Sequence, residues 1–140
     1  MQSKPFYMYE YPMFMVTVSV VLIIDNGVII VDNKFPGGMV KAGQETLQFA
    51  AVRYVKEQTG ITLTKEALIP VDFRSNPERS EGGNVIDIGF VVMVNKNIES
   101  LHGKWVEVDF NLKKIVNSVK LYMDHEILLE RAIDIALMVK

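Results

Sequence analysis

Phe35-Pro36-Gly37-Gly38-Met39-Val40-Lys41-Ala42-Gly43-Gln44-Glu45-Thr46 runs directly into the segment Leu47 to Ile61. The stretch reads as a glycine-rich turn, a short loop, and a helix that stops at Gly60. Gly37 and Gly38 let the backbone turn sharply and approach a ligand closely, and Gly43 does the same just before the helix. Thr46 is a suitable cap for the helix start. No proline or glycine interrupts Thr46 to Thr59, and Leu47, Ala51 and Val55 recur as a core-facing stripe. Gly60 followed by Ile61 fits a helix stop, with a left-handed glycine and an apolar residue folding back.

A helix start offers free N–H groups and a partial positive charge, both suited to phosphate. Tyr54, Glu57 and Gln58 are spaced i, i+3, i+4 and share one helix face, with Arg53 beside them. Carboxylates on such a face hold Mg²⁺ together with substrate phosphates. Glu57 alone is a poor divalent site. The competing reading is a tight strand-to-helix connection with a solvated outer face.

Working outward, Val16 to Ile24 is rich in β-branched residues, with valines alternating against Thr17 and Ser19. Asp25-Asn26-Gly27 supplies residues that tolerate positive φ, and Val28 to Val31 follows, so a hairpin around Asn-Gly is expected. Beyond the helix, Leu68 to Phe73 reads as a strand, Ser75 to Asn84 as a polar loop, and Val85 to Val94 as a long central strand. Lys104 to Val108 reads as a short strand carrying the single tryptophan, Trp105. A short helix is expected over Leu112 to Val119. Asp124 is placed to cap a last helix from His125 to about Met138, with Ile127, Leu128, Ala132 and Ile135 on its buried side. This order gives an α/β fold, a mixed sheet between helices.

At 140 residues, 49% hydrophobic and 23% charged, the chain is expected to be one globular domain spanning 1–140. A net charge of -2 gives no general attraction to nucleic acid or anionic lipid. The absence of cysteine excludes disulfides, thiolate catalysis and cysteine-zinc sites, and two histidines cannot build a histidine-rich metal centre. The apolar run Met15 to Ile24 is about half the ~20 residues a membrane span needs, so a cytoplasmic location is the default expectation. Residues 1–14 form an aromatic arm with Phe6, Tyr7, Tyr9, Tyr11 and Phe14. Such an arm is a liability unless covered, so it is expected to pack on its own domain or across a homodimer.

Pro36-Gly37-Gly38, Gly43, Glu45, Arg53, Val55, Glu57, Gly60 and Ile61 together resemble the Nudix box, G-x5-E-x7-R-E-U-x-E-E-x-G-U with U aliphatic. Tyr11-Pro12 with Val16-Thr17-Val18, the loop Arg74 to Arg79 before Val85 to Ile88, Trp105 to Val108, and Asp124 to Leu128 are similar to the ADP-ribose pyrophosphatase-like branch. The resemblance implies a Nudix-like α/β/α sandwich. It also implies hydrolysis of a nucleoside diphosphate derivative such as ADP-ribose, with Mg²⁺ or Mn²⁺ held by box glutamates. Carried over by position, Glu45 braces the loop by pairing with Arg53, and Gly60 closes the box. The three metal-holding, catalytic positions fall at Tyr54, Glu57 and Gln58, so two of them are not carboxylates. Six residues rather than five separate Gly38 from Glu45.

Gln offers a neutral carbonyl, and Tyr a phenol that stays protonated near neutral pH, where hard cations want anionic oxygen. The expectation is therefore a degenerate box with weak or absent pyrophosphatase activity, and either no metal or one held by Glu57 with Glu81 as a replacement ligand. The alternatives are a non-catalytic, nucleotide-binding regulatory domain and a purely partner-binding one. Gly37, Gly38, Arg74 and Arg79 are the candidate substrate contacts, although both arginines also fit solvated loop charges. Trp105 suits either base stacking or a core or dimer contact. For His125, helix-start packing or hydrogen bonding outweighs catalysis, and Glu107 reads as a strand-surface residue.

Overall fold

The computed structural model describes residues 13–79, 84–95, 102–117 and 119–139. Glu81 and most of the aromatic arm lie outside them. Seven strands and two helices follow in the order β1 (Met15–Ile24), β2 (Gly27–Ile30), β3 (Gly37–Met39), α1 (Leu47–Thr59), β4 (Ile69–Arg74), β5 (Val85–Met93), β6 (Lys104–Asp109), β7 (Lys114–Ile115) and α2 (His125–Met138). The strands form one mixed sheet in the order β4-β5-β1-β2-β6-β7.

Strand β1 is the axis of the sheet. It pairs in parallel with β5 along Met15 to Ile23. Its other edge is shared: Thr17 to Ser19 pair with β3, and Ile23 and Ile24 pair with β2. The period-two alternation of a strand sends its residues to opposite faces. Val18, Val20, Leu22 and Ile24 pack with Ala50, Ala51 and Val55 of α1. Val21 and Ile23 pack with Leu128, Leu129, Ala132 and Ile133 of α2. The expected α/β/α sandwich is the observed fold.

Helix α1 starts and ends as its sequence dictates. The Thr46 side chain accepts the Phe49 N–H at 3.0 Å, and Gly60 takes the left-handed conformation at φ 82°. Other local expectations are corrected. The left-handed residue of the first hairpin is Asp25 (φ 55°), while Gly27 already pairs with Ile24 in the ladder. Among the described residues from Leu112 to Val119, no helix forms. Asp109 Oδ1 accepts the N–H groups of Asn111 and Leu112 at 2.9 and 3.0 Å, the local competition by which aspartate opposes helix. Lys113 then turns left-handed and β7 begins. In α2, Ile127 is exposed and the buried stripe is His125, Leu128, Leu129, Ala132, Ile133 and Ala136. Asp124 does stand at the helix start, but its side chain makes no cap bond. Two arginines hold it instead.

Candidate functional site

The residues expected to turn at Gly37-Gly38 form an edge strand, β3, laid against β1. Neither glycine has positive φ; the left-handed residue of this loop is Gly43 (φ 73°). What the pair supplies is space. A Cβ on Gly37 would sit 1.9 Å from the Val18 carbonyl oxygen, and one on Gly38 would sit 2.5 Å from the Tyr54 ring. Close backbone approach, rather than a sharp turn, is why these two positions need glycine.

The loop between β3 and α1 is braced as the sequence predicts. Arg53 donates from Nε and Nη2 to the two oxygens of Glu45, both at 2.9 Å. The Lys41 N–H donates to the same carboxylate at 2.8 Å. The Arg53 hydrogen bonds hold the Glu45 pKa down at about 2. Because this pKa lies below its ordinary 4.5, the stability the brace contributes is full above pH 4.5. It is lost as pH falls toward 2. The Arg53 guanidinium also lies 4.2 Å over the Tyr54 ring and reaches Glu57 at 3.4 Å.

The other two residues of the α1 face are turned toward the β3 backbone. Gln58 is a two-way clamp: its Oε1 accepts the Gly37 N–H at 3.0 Å and its Nε2 donates to the Gly37 carbonyl at 2.9 Å. Tyr54 donates its hydroxyl to the Met39 carbonyl at 2.8 Å. Glu57, with about half its side chain exposed, is the remaining carboxylate of the face. This donor set does not fit a divalent cation. Among the described residues, no group of three or more His, Asp or Glu side chains is placed to hold a metal, whereas a hard cation requires several anionic oxygens.

Behind β3, on the α2 side of the sheet, lies a cleft of about 350 Å³. Gly37, Gly38 and Arg79 line it. Tyr54, Glu57 and Gln58 do not. Its floor is a buried polar cluster that sequence reasoning missed. Asp87 Oδ1 accepts the hydroxyls of Thr17 (2.6 Å) and Ser19 (3.0 Å), and Asp87 Oδ2 pairs with Arg74. The available signals were the polar Thr17 and Ser19 on one face of a valine strand, and a lone acid in Val85-Ile86-Asp87-Ile88.

Arg74 is not a loop residue. It ends β4, is buried, and pairs with Asp72, Asp87 and Asp124. Arg79 pairs with Asp124 at 2.8 Å, and Arg131 pairs with Asp72 at 2.8 Å. Three arginines and three aspartates thus compensate one another in a continuous network.

His125 packs in the cleft wall as a hydrogen-bonding core residue. Its ring stacks on Phe35 at 5.5 Å, and its Nδ1 accepts the Phe35 N–H at 3.1 Å. The neutral ring therefore carries its proton on Nε2, 3.5 Å from the Ser19 hydroxyl. That tautomer cannot take the serine proton through Nε2, so it is not a general base for Ser19. Burial pushes the His125 pKa from 6.5 down to about 4. The unfolded chain then binds a proton that the folded chain refuses between those values, so stability falls as pH drops from 6.5 to 4. Urea melts across this range are expected to show that slope, and His125→Gln is expected to flatten it. Equal slopes in the two proteins would contradict the assignment.

Trp105 donates from Nε1 to the Ile24 carbonyl at 3.1 Å and lies over Gly27, remote from the cleft lining. Glu107 is a surface residue, as expected, and accepts from Asn26 at 3.2 Å.

A mixed sheet between two helices, with a glycine edge strand leading through a Glu–Arg brace into α1, is the architecture of one protein class. Residues 13–128 match the NUDIX domain family, and the chain belongs to it. An ADP-ribose pyrophosphatase from Methanocaldococcus jannaschii is 36% identical over 91 residues, covering 65% of this chain and 51% of that protein. The chain therefore spans about half the length of that relative. A MutT/nudix family protein from Enterococcus faecalis superposes with a TM-score of 0.80 at 19% identity, covering 94% of this chain and 65% of that one. The Nudix domain of Shewanella oneidensis NrtR, crystallised with ADP ribose, superposes at 0.70 with 20% identity and 90% of each chain covered. Among the described residues, no helix is long and apolar enough to cross a membrane.

Proposed function

We propose that this chain is a Nudix domain that binds a nucleoside diphosphate derivative of the ADP-ribose type, with weak or absent metal-dependent hydrolysis. The observation that carries this reading is the use made of Tyr54 and Gln58. At two of the three helix positions where the family pattern has glutamate, the polar atoms are hydrogen-bonded to the backbone of Met39 and Gly37. Strand β3 is thus held by protein contacts, and Glu57 is left as a single carboxylate. Removing two anionic ligands weakens Mg²⁺ or Mn²⁺ binding and takes away a group that would activate water. Ligand binding has its own support: a cleft beside β3 with an aromatic wall and polar floor, and two similar proteins whose names or titles carry ADP-ribose.

Calorimetry with ADP-ribose in EDTA and then in Mg²⁺, alongside an assay for AMP release, tests this directly. Metal-independent binding without turnover is the expected result. Robust turnover that Glu57→Gln abolishes would establish an active pyrophosphatase instead. Neither binding nor turnover would point to a partner-binding domain.

A further inference from the structure

Three backbone donors on the approach to and at the start of the glycine strand are already committed within the protein. The Lys34 N–H donates to Val31, the Phe35 N–H to His125 Nδ1, and the Gly37 N–H to Gln58 Oε1. Those three N–H groups are not free to bind an anion, which turns attention to the side chains of the cleft.

The charges there are mostly cancelled. Arg79 shares Asp124 with Arg74, and Arg74 also covers Asp87, so the arginine–aspartate network closes on itself. Lys34 lines the same cleft and, among the described residues, has no carboxylate within ion-pair distance.

Its placement is built into the turn before it. Asp32 and Asn33 are both left-handed, at φ 52° and 62°. Two successive positive φ values define the mirror-image hairpin turn, and Asp and Asn are the non-glycine residues that tolerate it. The turn is closed by reciprocal Val31–Lys34 backbone bonds of 2.8 and 3.1 Å. The Asn33 carbonyl then accepts the Tyr122 N–H at 2.7 Å, tying the start of the α2 region to the same turn. The Lys34 ammonium ends 5.6 Å from the centre of the half-exposed Tyr122 ring.

We propose that Lys34, carried over Tyr122 by the Asp32-Asn33 turn, is the phosphate-binding cation of the cleft. It takes a phosphate or diphosphate group without a metal, and this rests on the nucleotide-binding reading above for its physiological ligand. An ammonium on a rotatable stem is a compact point charge that follows a phosphate. It supplies in part the charge neutralisation that the α1 face no longer obtains from a cation.

The test is made on the full chain in EDTA, by calorimetry and by amide NMR titration with inorganic pyrophosphate, ADP-ribose and adenosine. Pyrophosphate is expected to shift the amides of Lys34, Phe35, Gly37 and Tyr122. Lys34→Gln is expected to weaken pyrophosphate and ADP-ribose binding about tenfold, comparable with the loss of one charge-assisted contact. It should leave adenosine binding unchanged and reduce the salt dependence of the two anionic ligands. Lys34→Arg should retain most of the affinity. If pyrophosphate binds at these amides and ADP-ribose does not bind at all, the nucleotide reading fails and the Lys34 subsite stands. If pyrophosphate leaves these amides unmoved, or the glutamine variant binds both anions like the wild type, the Lys34 proposal is overturned.

Discussion

Arg74→Ala is expected to lower folding stability by about 3–5 kcal/mol, the usual cost of deleting one member of a buried ion-pair network. The guanidinium faces Asp72, Asp87 and Asp124 at once. Its loss leaves Asp87 with only the hydroxyls of Thr17 and Ser19, Asp72 with Arg131 alone, and Asp124 with Arg79 alone. Two of the three carboxylates are almost completely shielded from water, so solvent cannot take over from the arginine. Arg74→Lys should recover only part of the loss, because one ammonium cannot bridge three carboxylates in a planar fork. Urea denaturation at neutral pH measures both variants. A change below about 1 kcal/mol, together with weakened nucleotide binding, would instead mark Arg74 as a surface phosphate ligand.

The double replacement Tyr54→Glu, Gln58→Glu should convert the α1 face from a protein-held to a metal-held one. Without metal, the Met39 carbonyl loses its donor and the Gly37 carbonyl meets a carboxylate in place of Gln58 Nε2. A cost of about 1–3 kcal/mol is expected from these unsatisfied groups. With Glu57, the variant presents three carboxylates at i, i+3, i+4. Mn²⁺ or Mg²⁺ should then restore stability by mass action, about 2.7 kcal/mol when the ion is a hundredfold above its Kd. Release of AMP from ADP-ribose should appear with the metal. Thermal melts of wild type and variant, in EDTA and in millimolar Mn²⁺, separate the outcomes. A wild-type melting temperature that rises with Mn²⁺ as much as the variant's would refute the proposal that the native face is short of ligands.

These two experiments fall on opposite sides of β3, and that division was not legible in the sequence. By sequence alone, Gly37-Gly38, the α1 face and the two arginines converge on one phosphate site. In three dimensions, β3 stands between the α1 face and the cleft. Tyr54 and Gln58 reach the β3 backbone from one side, and Asp87, His125 and Lys34 meet the cleft from the other. Nothing in the local pattern of Gly37-Gly38 distinguishes a turn from a strand that other atoms approach closely, because glycine suits both.

Local chemistry nevertheless determined a good deal. The threonine cap, the uninterrupted run to Thr59 and the glycine stop fixed α1 almost to the residue, since helix ends are decided by groups within a few positions. The Glu45–Arg53 brace followed from a recognisable pattern, and the β-branched runs placed β1 and β5. What only the tertiary structure decided were the contacts across long sequence separations. Asp124 reads as a helix cap until Arg74 and Arg79 arrive from the end of β4 and the segment after it, and the aspartate pairs with them without making a capping bond. His125 is one of two histidines until burial against Phe35 removes its charge. Lys34 is an ordinary loop lysine until folding carries it over Tyr122 at the cleft, with no ion pair among the described residues. Sequence dictates the elements because their hydrogen bonds are local. It does not dictate which charges remain free, because that depends on partners that only folding brings together.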